Sequence, residues 1–259
     1  VDRGTLGGIA LALFGIALGV YLDHGNIGQM LQPTAALIVF GGTLGAVILQ
    51  FPFAVVKQAF SRLVDLFVHT EDPAPQLIDD LIRYAVRARR NGLISLEVEL
   101  LTIEDSFLRK SLTLAVDGLR PAELREKMEL DMDNESDRED LIPKVFEAAG
   151  GFAPTMGILG AVIGLIQVMQ RLENINEVGK GIAVAFVATI YGVGVANIFL
   201  LPVAGRIKIN MRRKQLMREL ILHGVICIVN KTNPRVMESD LAGYLARSGP
   251  DLSPKLVAQ

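Results

Sequence analysis

Four stretches of this sequence contain no Asp, Glu, Lys or Arg: TLGGIALALFGIALGVYL (5–22), PTAALIVFGGTLGAVILQFPF (33–53), GGFAPTMGILGAVIGLIQVMQ (150–170) and GIAVAFVATIYGVGVANIFLLPV (181–203). A helix needs roughly 20 apolar residues to cross ~30 Å of hydrocarbon. These runs constrain the chain more than any other feature. They predict an all-α, polytopic membrane protein with four transmembrane helices and a helical cytoplasmic domain. The apolar share, 51% of 259 residues, is gathered in these runs rather than spread evenly. The first run lacks a basic n-region and a clean A-x-A cleavage site, so it reads as a retained span.

The intervening segments set the orientation. DHGNIGQMLQ joins the first two spans and has no Lys or Arg, and RLENINEVGK joins the last two. Residues 57–90 carry Lys57, Arg62, Arg83, Arg87, Arg89 and Arg90, and the fourth span runs straight into RIKINMRRKQLMR. Basic segments stay on the cytoplasmic side. This places both termini in the cytoplasm. The predicted division is 1–53 for spans one and two, at the periphery, and 54–149 for a cytoplasmic helical domain. Residues 150–205 are then spans three and four, and 206–259 the cytoplasmic C-terminal helices.

The polar segments read as helical, and strand signals are absent. PQLIDDLIRYAVRARRNG has apolar residues at helical spacing, with Pro75 near its start and Gly92 just past its end. The charged stretch from Ala122 leads into the third span. The region from Arg206 to about Val229 extends the fourth. TNPR makes a turn, and VMESDLAGYLARS closes with a short helix.

Several function classes are excluded. No phosphate-binding loop, nucleophile elbow or HExxH helix is present, so no enzyme or cofactor chemistry is predicted. A net charge of −2 does not fit a dedicated nucleic-acid binder. The single cysteine, Cys227, allows no intrachain disulfide, and His24, His69 and His223 lack ligand spacing. The acidic run DMDNESDRED (131–140) lacks the glycine and terminal Glu of a calcium loop, so it reads as a solvated helix face rather than a metal site.

Within the spans, two kinds of residue stand out. Gly15/Gly19, Gly41/Gly45 and Gly160/Gly164 pair at four-residue spacing, which allows close backbone approach, either within one subunit or between subunits. Pro154, Thr155, Thr189, Asn197 and Pro202 are polar or helix-breaking residues in or at the ends of spans three and four. Proline frees a carbonyl one turn earlier, which a neighbour, a hydroxyl or water must satisfy. Singly they read as packing or bending residues; together they point to a wet path. Thr155 either faces that path or satisfies the backbone that the proline disturbs. Moving protons through a membrane normally uses a titratable group at depth. These spans have none, so either the protein conducts nothing or another chain supplies the acid.

The order of features and the motifs RRNGLISLE, AVDG, APTMGILGAVIGLI, AVAFVATIYGVG and NPRVMES..AGYL resemble the MotA/PomA family of bacterial flagellar stator subunits along nearly the whole chain. The resemblance implies five such chains around two copies of a single-span, peptidoglycan-binding MotB. The MotB aspartate would be the acid missing here, and ion flow past it would turn the ring against the rotor protein FliG.

By motif, the resemblance assigns Arg89 and Glu97 to the rotor-facing surface. It assigns Pro154, Thr155, Thr189 and Pro202 to the ion path. Sodium-driven relatives carry threonines where this chain has Ala161 and Ala188, which implies proton coupling. From the residues alone, Arg89 reads as a solvated helix end and Glu97 as part of a local surface ion pair; only the motif match favours the rotor-facing role. The sister energisers ExbB and TolQ, which power outer-membrane transport, are the alternative reading. They have three spans rather than four.

Overall fold

The computed structural model describes residues 3–22, 27–65, 74–170 and 175–247. His24 and His69 lie outside the described residues. Among those described there is no strand. The helices are α1 (Arg3–Leu22), α2 (Pro33–Gln50), α3 (Phe53–Asp65), α4 (Ala74–Asn91) and α5 (Ser106–Val116). They continue with α6 (Pro121–Glu139), α7 (Leu141–Gln170), α8 (Ile175–Val195), α9 (Leu201–Val229) and α10 (Pro234–Arg247).

Among the described residues, three helical stretches are long and apolar enough to cross a membrane: α2, one ending with α7, and one running from Gly181 of α8 to the end of α9. The apolar part of α1, Gly7–Leu22, is shorter. At 1.5 Å per residue it reaches about 24 Å against a ~30 Å core. The first of the four expected spans is therefore the one that does not meet the length.

The chain forms two compact units, Val1–His69 with Glu139–Lys208, and Thr70–Arg138 with Ile209–Gln259. Segment 54–149 contributes to both, and α9 belongs to both. In the first unit α7 and α8 form the main helix pair, with α2 packed on each of them. Ala35 and Val39 of α2 bury against Val187 and Ala188 of α8. Phe60 of α3 meets Phe146 of α7 edge-on, with ring centroids 6.1 Å apart. Ile158, Leu159, Val162, Leu165 and Ile166 of α7 and Phe186 and Ile190 of α8 stay exposed in the single chain. Apolar side chains on a spanning helix face lipid or another spanning helix, so this exposure is not a defect.

The second unit has an apolar core of its own. Leu81, Leu96, Leu112, Leu124, Met128, Leu220, Ile221, Met237 and Leu241 are fully buried. Its helices have recognisable ends. Asp105 caps α5 by accepting from the Leu108 N–H at 2.8 Å. Gly92 ends α4 with φ of +82°, a conformation that suits glycine. After α9 the Thr232 N–H donates to Cys227 O at 2.9 Å and the Lys231 N–H to Ile228 O at 3.0 Å. This is the Schellman pattern, with Lys231 at φ 54° in the place usually held by glycine. Asn233 then starts α10, its Oδ1 accepting from the Arg235 N–H at 3.1 Å, with Pro234 at the first helical position.

The acidic run is not a simple solvated face. Asp131 pairs with Lys110, and Glu135 pairs with Arg218 and, at 3.1 Å, with Lys214. Burial pushes the Glu135 carboxyl up, but hydrogen bonds from Arg218 and Lys214 outweigh it and hold the group below the usual carboxylate range.

Candidate functional site: the α7–α8 seam and an exposed charged loop

The seam in the first unit is built from small residues. Ala153, Gly157, Gly160 and Gly164 line α7, and Gly181, Ala185, Ala188 and Gly192 line α8. Each set repeats at four, three and four residues, which keeps one stripe on one helix face. The approach is backbone to backbone. A β-carbon on Gly157 would stand 2.9 Å from Ala188 O and 3.3 Å from Thr189 Cα. One on Gly164 would stand 3.0 Å from Gly181 O, and one on Gly160 would stand 2.8 Å from the Ala188 Cβ. Gly160 and Gly164 therefore pack within the subunit. Among the described residues, and apart from their own helix backbone, Gly15, Gly19, Gly41 and Gly45 have nothing within 4 Å of where a β-carbon would be.

Each proline neighbours the contact between Gly150 and Leu201 along the chain. Pro154 has no N–H for the carbonyl of Gly150, four residues earlier, yet α7 continues through it. The side chain of Leu201, the residue before Pro202, packs on Gly150, where a β-carbon would lie 2.7 Å from it. Pro202 itself follows a wide π turn at Ala196–Leu200, in which the Leu201 N–H reaches back five residues to Ala196 O. Such a turn accommodates a proline that cannot join an ordinary helical ladder. Asn197 Nδ2 donates to Val193 O at 2.9 Å across the start of that turn.

The hydroxyls bond locally. Thr155 is exposed and donates to Phe152 O at 2.7 Å. Its partner is thus not the Gly150 carbonyl, to which Pro154 cannot donate. Thr189 is half-buried and its Oγ1 lies 3.3 Å from Ala185 O. Ala161 is half-buried, whereas Ala188 is fully buried inside the seam. Thr189 and Ala188 lie directly against Gly157, one turn along from Pro154.

Sequence reasoning missed Tyr191. Its ring stacks on Phe40 of α2 with centroids 6.0 Å apart. Its hydroxyl donates to Met30 O at 2.5 Å and accepts from the Gln32 N–H at 3.3 Å. It thereby ties the start of α2 to α8. It is a lone tyrosine among apolar residues, and that isolation was the available signal.

The second unit carries the other two assigned residues. Arg87 of α4 pairs with Glu99, and Arg83 lies 2.7 Å from Asp80. Arg89, Arg90 and Glu97 are exposed, and among the described residues none of the three has an ion-pair partner. The sequence allowed Glu97 a surface ion pair; here the paired carboxylate is Glu99.

The profile of the MotA/TolQ/ExbB proton channel family matches residues 99–220, and that of the motility protein A N-terminal region matches residues 6–91. Motility protein A of Bacillus subtilis (strain 168) is 33% identical over 246 residues, covering 95% of this chain and 91% of that one. The fold is similar to C. jejuni MotAB, with a TM-score of 0.90 and 30% identity over 98% of this chain and 99% of that one. It is also similar to the flagellar MotAB stator complex from Bacillus subtilis, with a TM-score of 0.87 and 33% identity over 94% of this chain and 96% of that one. The motility protein A match lies in the N-terminal third, and TolQ and ExbB are named only in the channel profile. A small-residue helix seam without charge, an all-helical fold and near full-length likeness lead to one conclusion: this chain belongs to the motility protein A family, within the MotA/TolQ/ExbB proton channel family.

Proposed function

We propose that this chain is the ring-forming subunit of a bacterial flagellar stator, working with a MotB-type partner as an ion-driven motor component. The observation that carries the reading is the likeness in fold over 98% of the chain to C. jejuni MotAB. The protein is not an enzyme. It sits in the bacterial inner membrane with four spans, α1 included, and with both termini cytoplasmic. The short apolar stretch of α1 is accommodated by local bilayer thinning and by association with neighbouring spans.

The spans hold no acid, so the partner's intramembrane carboxylate carries the ion. Pro154, Thr155, Thr189 and Pro202 shape the wall beside it, and the close seam keeps α7 and α8 moving as one body. Ala161 and Ala188 offer no hydroxyl oxygens to a dehydrating cation, which favours protons over sodium. Arg89 and Glu97 are exposed and unpaired, and so are available to the rotor protein FliG. A charge contact suits repeated pushing, because it is screened beyond ~8 Å at physiological salt and breaks readily.

Co-expression with the partner and imaging of the purified complex test this reading. Five copies of the chain around two partner spans are expected. A chain that purifies alone, or in a ring with no partner span inside, contradicts it.

A further inference from the structure

The loop after α4 has two apolar faces. Leu93, Leu96 and Leu100 turn inward onto the core of the second unit. Ile94, Val98 and Leu101 turn outward and are 73%, 67% and 88% exposed. Their spacing of four and three residues puts them on one stripe across the helical turns Leu93–Leu96 and Glu97–Leu100. Glu97 lies on the same stripe, three residues after Ile94 and four before Leu101. Arg89 and Arg90 sit at the end of α4, just before the turn at Gly92.

We infer that Ile94, Val98 and Leu101 form an apolar anchor for the rotor protein, with the unpaired Glu97, Arg89 and Arg90 setting its register. The inference rests on the rotor-facing reading of Arg89 and Glu97. The occupant is a protein face with a shallow apolar hollow, a basic group opposite Glu97 and an acidic group opposite Arg89 or Arg90. A lipid surface does not fit, because Glu97 lies on the stripe itself and seating the stripe in a membrane would strip water from its carboxylate with no partner charge to replace it. A permanent contact with a second copy does not fit either. The stripe offers on the order of 400 Å², the size of a functional patch, and a stable interface buries ~800 Å² per partner. A small patch with unpaired charges suits a contact that forms and breaks. The apolar part holds at any salt concentration, while the charges select the partner.

The test uses the full chain co-expressed with its partner in motile cells lacking their own stator. Ile94→Gln, Val98→Gln and Leu101→Gln together should cut swimming speed at least fivefold, with the complex recovered at the unaltered yield. Ile94→Leu, Val98→Ile and Leu101→Ile together should keep it. Normal swimming of the Gln variant, while Arg89→Glu swims poorly, overturns the anchor and leaves the charged contact standing. Normal swimming of both removes the rotor-facing reading and the anchor with it. Loss of ring assembly in the Gln variant also overturns the anchor, because it places the stripe between copies of the chain.

Discussion

Gly157 of α7 and Gly192 of α8 touch through their backbones: a β-carbon on Gly192 would lie 3.1 Å from Gly157 Cα and collide with the Ala153 carbonyl. Backbone cannot swing aside as a flexible side chain can, so Gly192→Ala must spread the helices. The expected cost is about 1–3 kcal/mol, typical of overpacking, read as a lower thermal midpoint of the detergent-purified complex. Gly243→Ala serves as the contrast. It is exposed in α10 with open space around it and should be neutral or slightly stabilising. Equal midpoints for Gly192→Ala and the unaltered protein would remove the tight seam.

Tyr191→Phe keeps the stack on Phe40 and deletes only the hydroxyl. Met30 O and the Gln32 N–H then lose a partner each. Leaving such groups unsatisfied costs about 1–3 kcal/mol. A faster amide exchange at Gln32 should accompany the lower midpoint, since α2 is released at its start. An unchanged exchange rate would show that the hydroxyl holds nothing.

Glu135 makes the second unit acid-sensitive. Its carboxyl is held below the usual range in the folded chain, so the stability it contributes is present above the ordinary Glu value, ~4.3, and is lost as pH falls through the lowered value. Glu135→Gln should therefore be less stable at neutral pH, and the gap to the unaltered protein should close as the pH drops below about 4. The group is partly exposed, so the gap is modest. A gap independent of pH in denaturation scans would assign the loss to packing rather than charge.

Arg89→Glu and Glu97→Lys should separate function from stability. Both residues are exposed and unpaired, so each change should alter stability by less than about 0.5 kcal/mol. Swimming should nevertheless fall severalfold in soft agar. Arg87→Ala, which breaks the pair with Glu99, should show the reverse balance. Normal swimming with both charge reversals would remove the rotor contact.

Much of this was legible in the residues. The uncharged runs predicted helices α2, α7 and α8, and Pro75, Gly92 and the TNPR turn predicted the ends of α4 and α9. The seam was only half legible. Strict four-residue spacing marks Gly160/Gly164 but not Gly157 or Gly192, because a stripe on a helix alternates steps of four and three. Ala185, and the seam role of Ala188, which the sequence marked only for ion choice, were hidden for another reason: alanine is common in any span, and only its partner across the seam gives it that meaning. Tyr191 depends on contacts with Met30 and Gln32, far away in sequence, which no local pattern encodes. The pairing of Arg87 rather than Arg89 is likewise a matter of rotation about α4. Periodicity sorts buried from exposed, but it does not say which exposed charge finds a partner.

The most direct measurement is the rotation of tethered cells that lack their own stator and carry this chain with its MotB-type partner, in sodium-free medium. The account predicts rotation whose speed rises with the proton-motive force and vanishes when the partner's intramembrane aspartate is changed to asparagine. Rotation that persists with that asparagine, or that appears only when sodium is added, would contradict it.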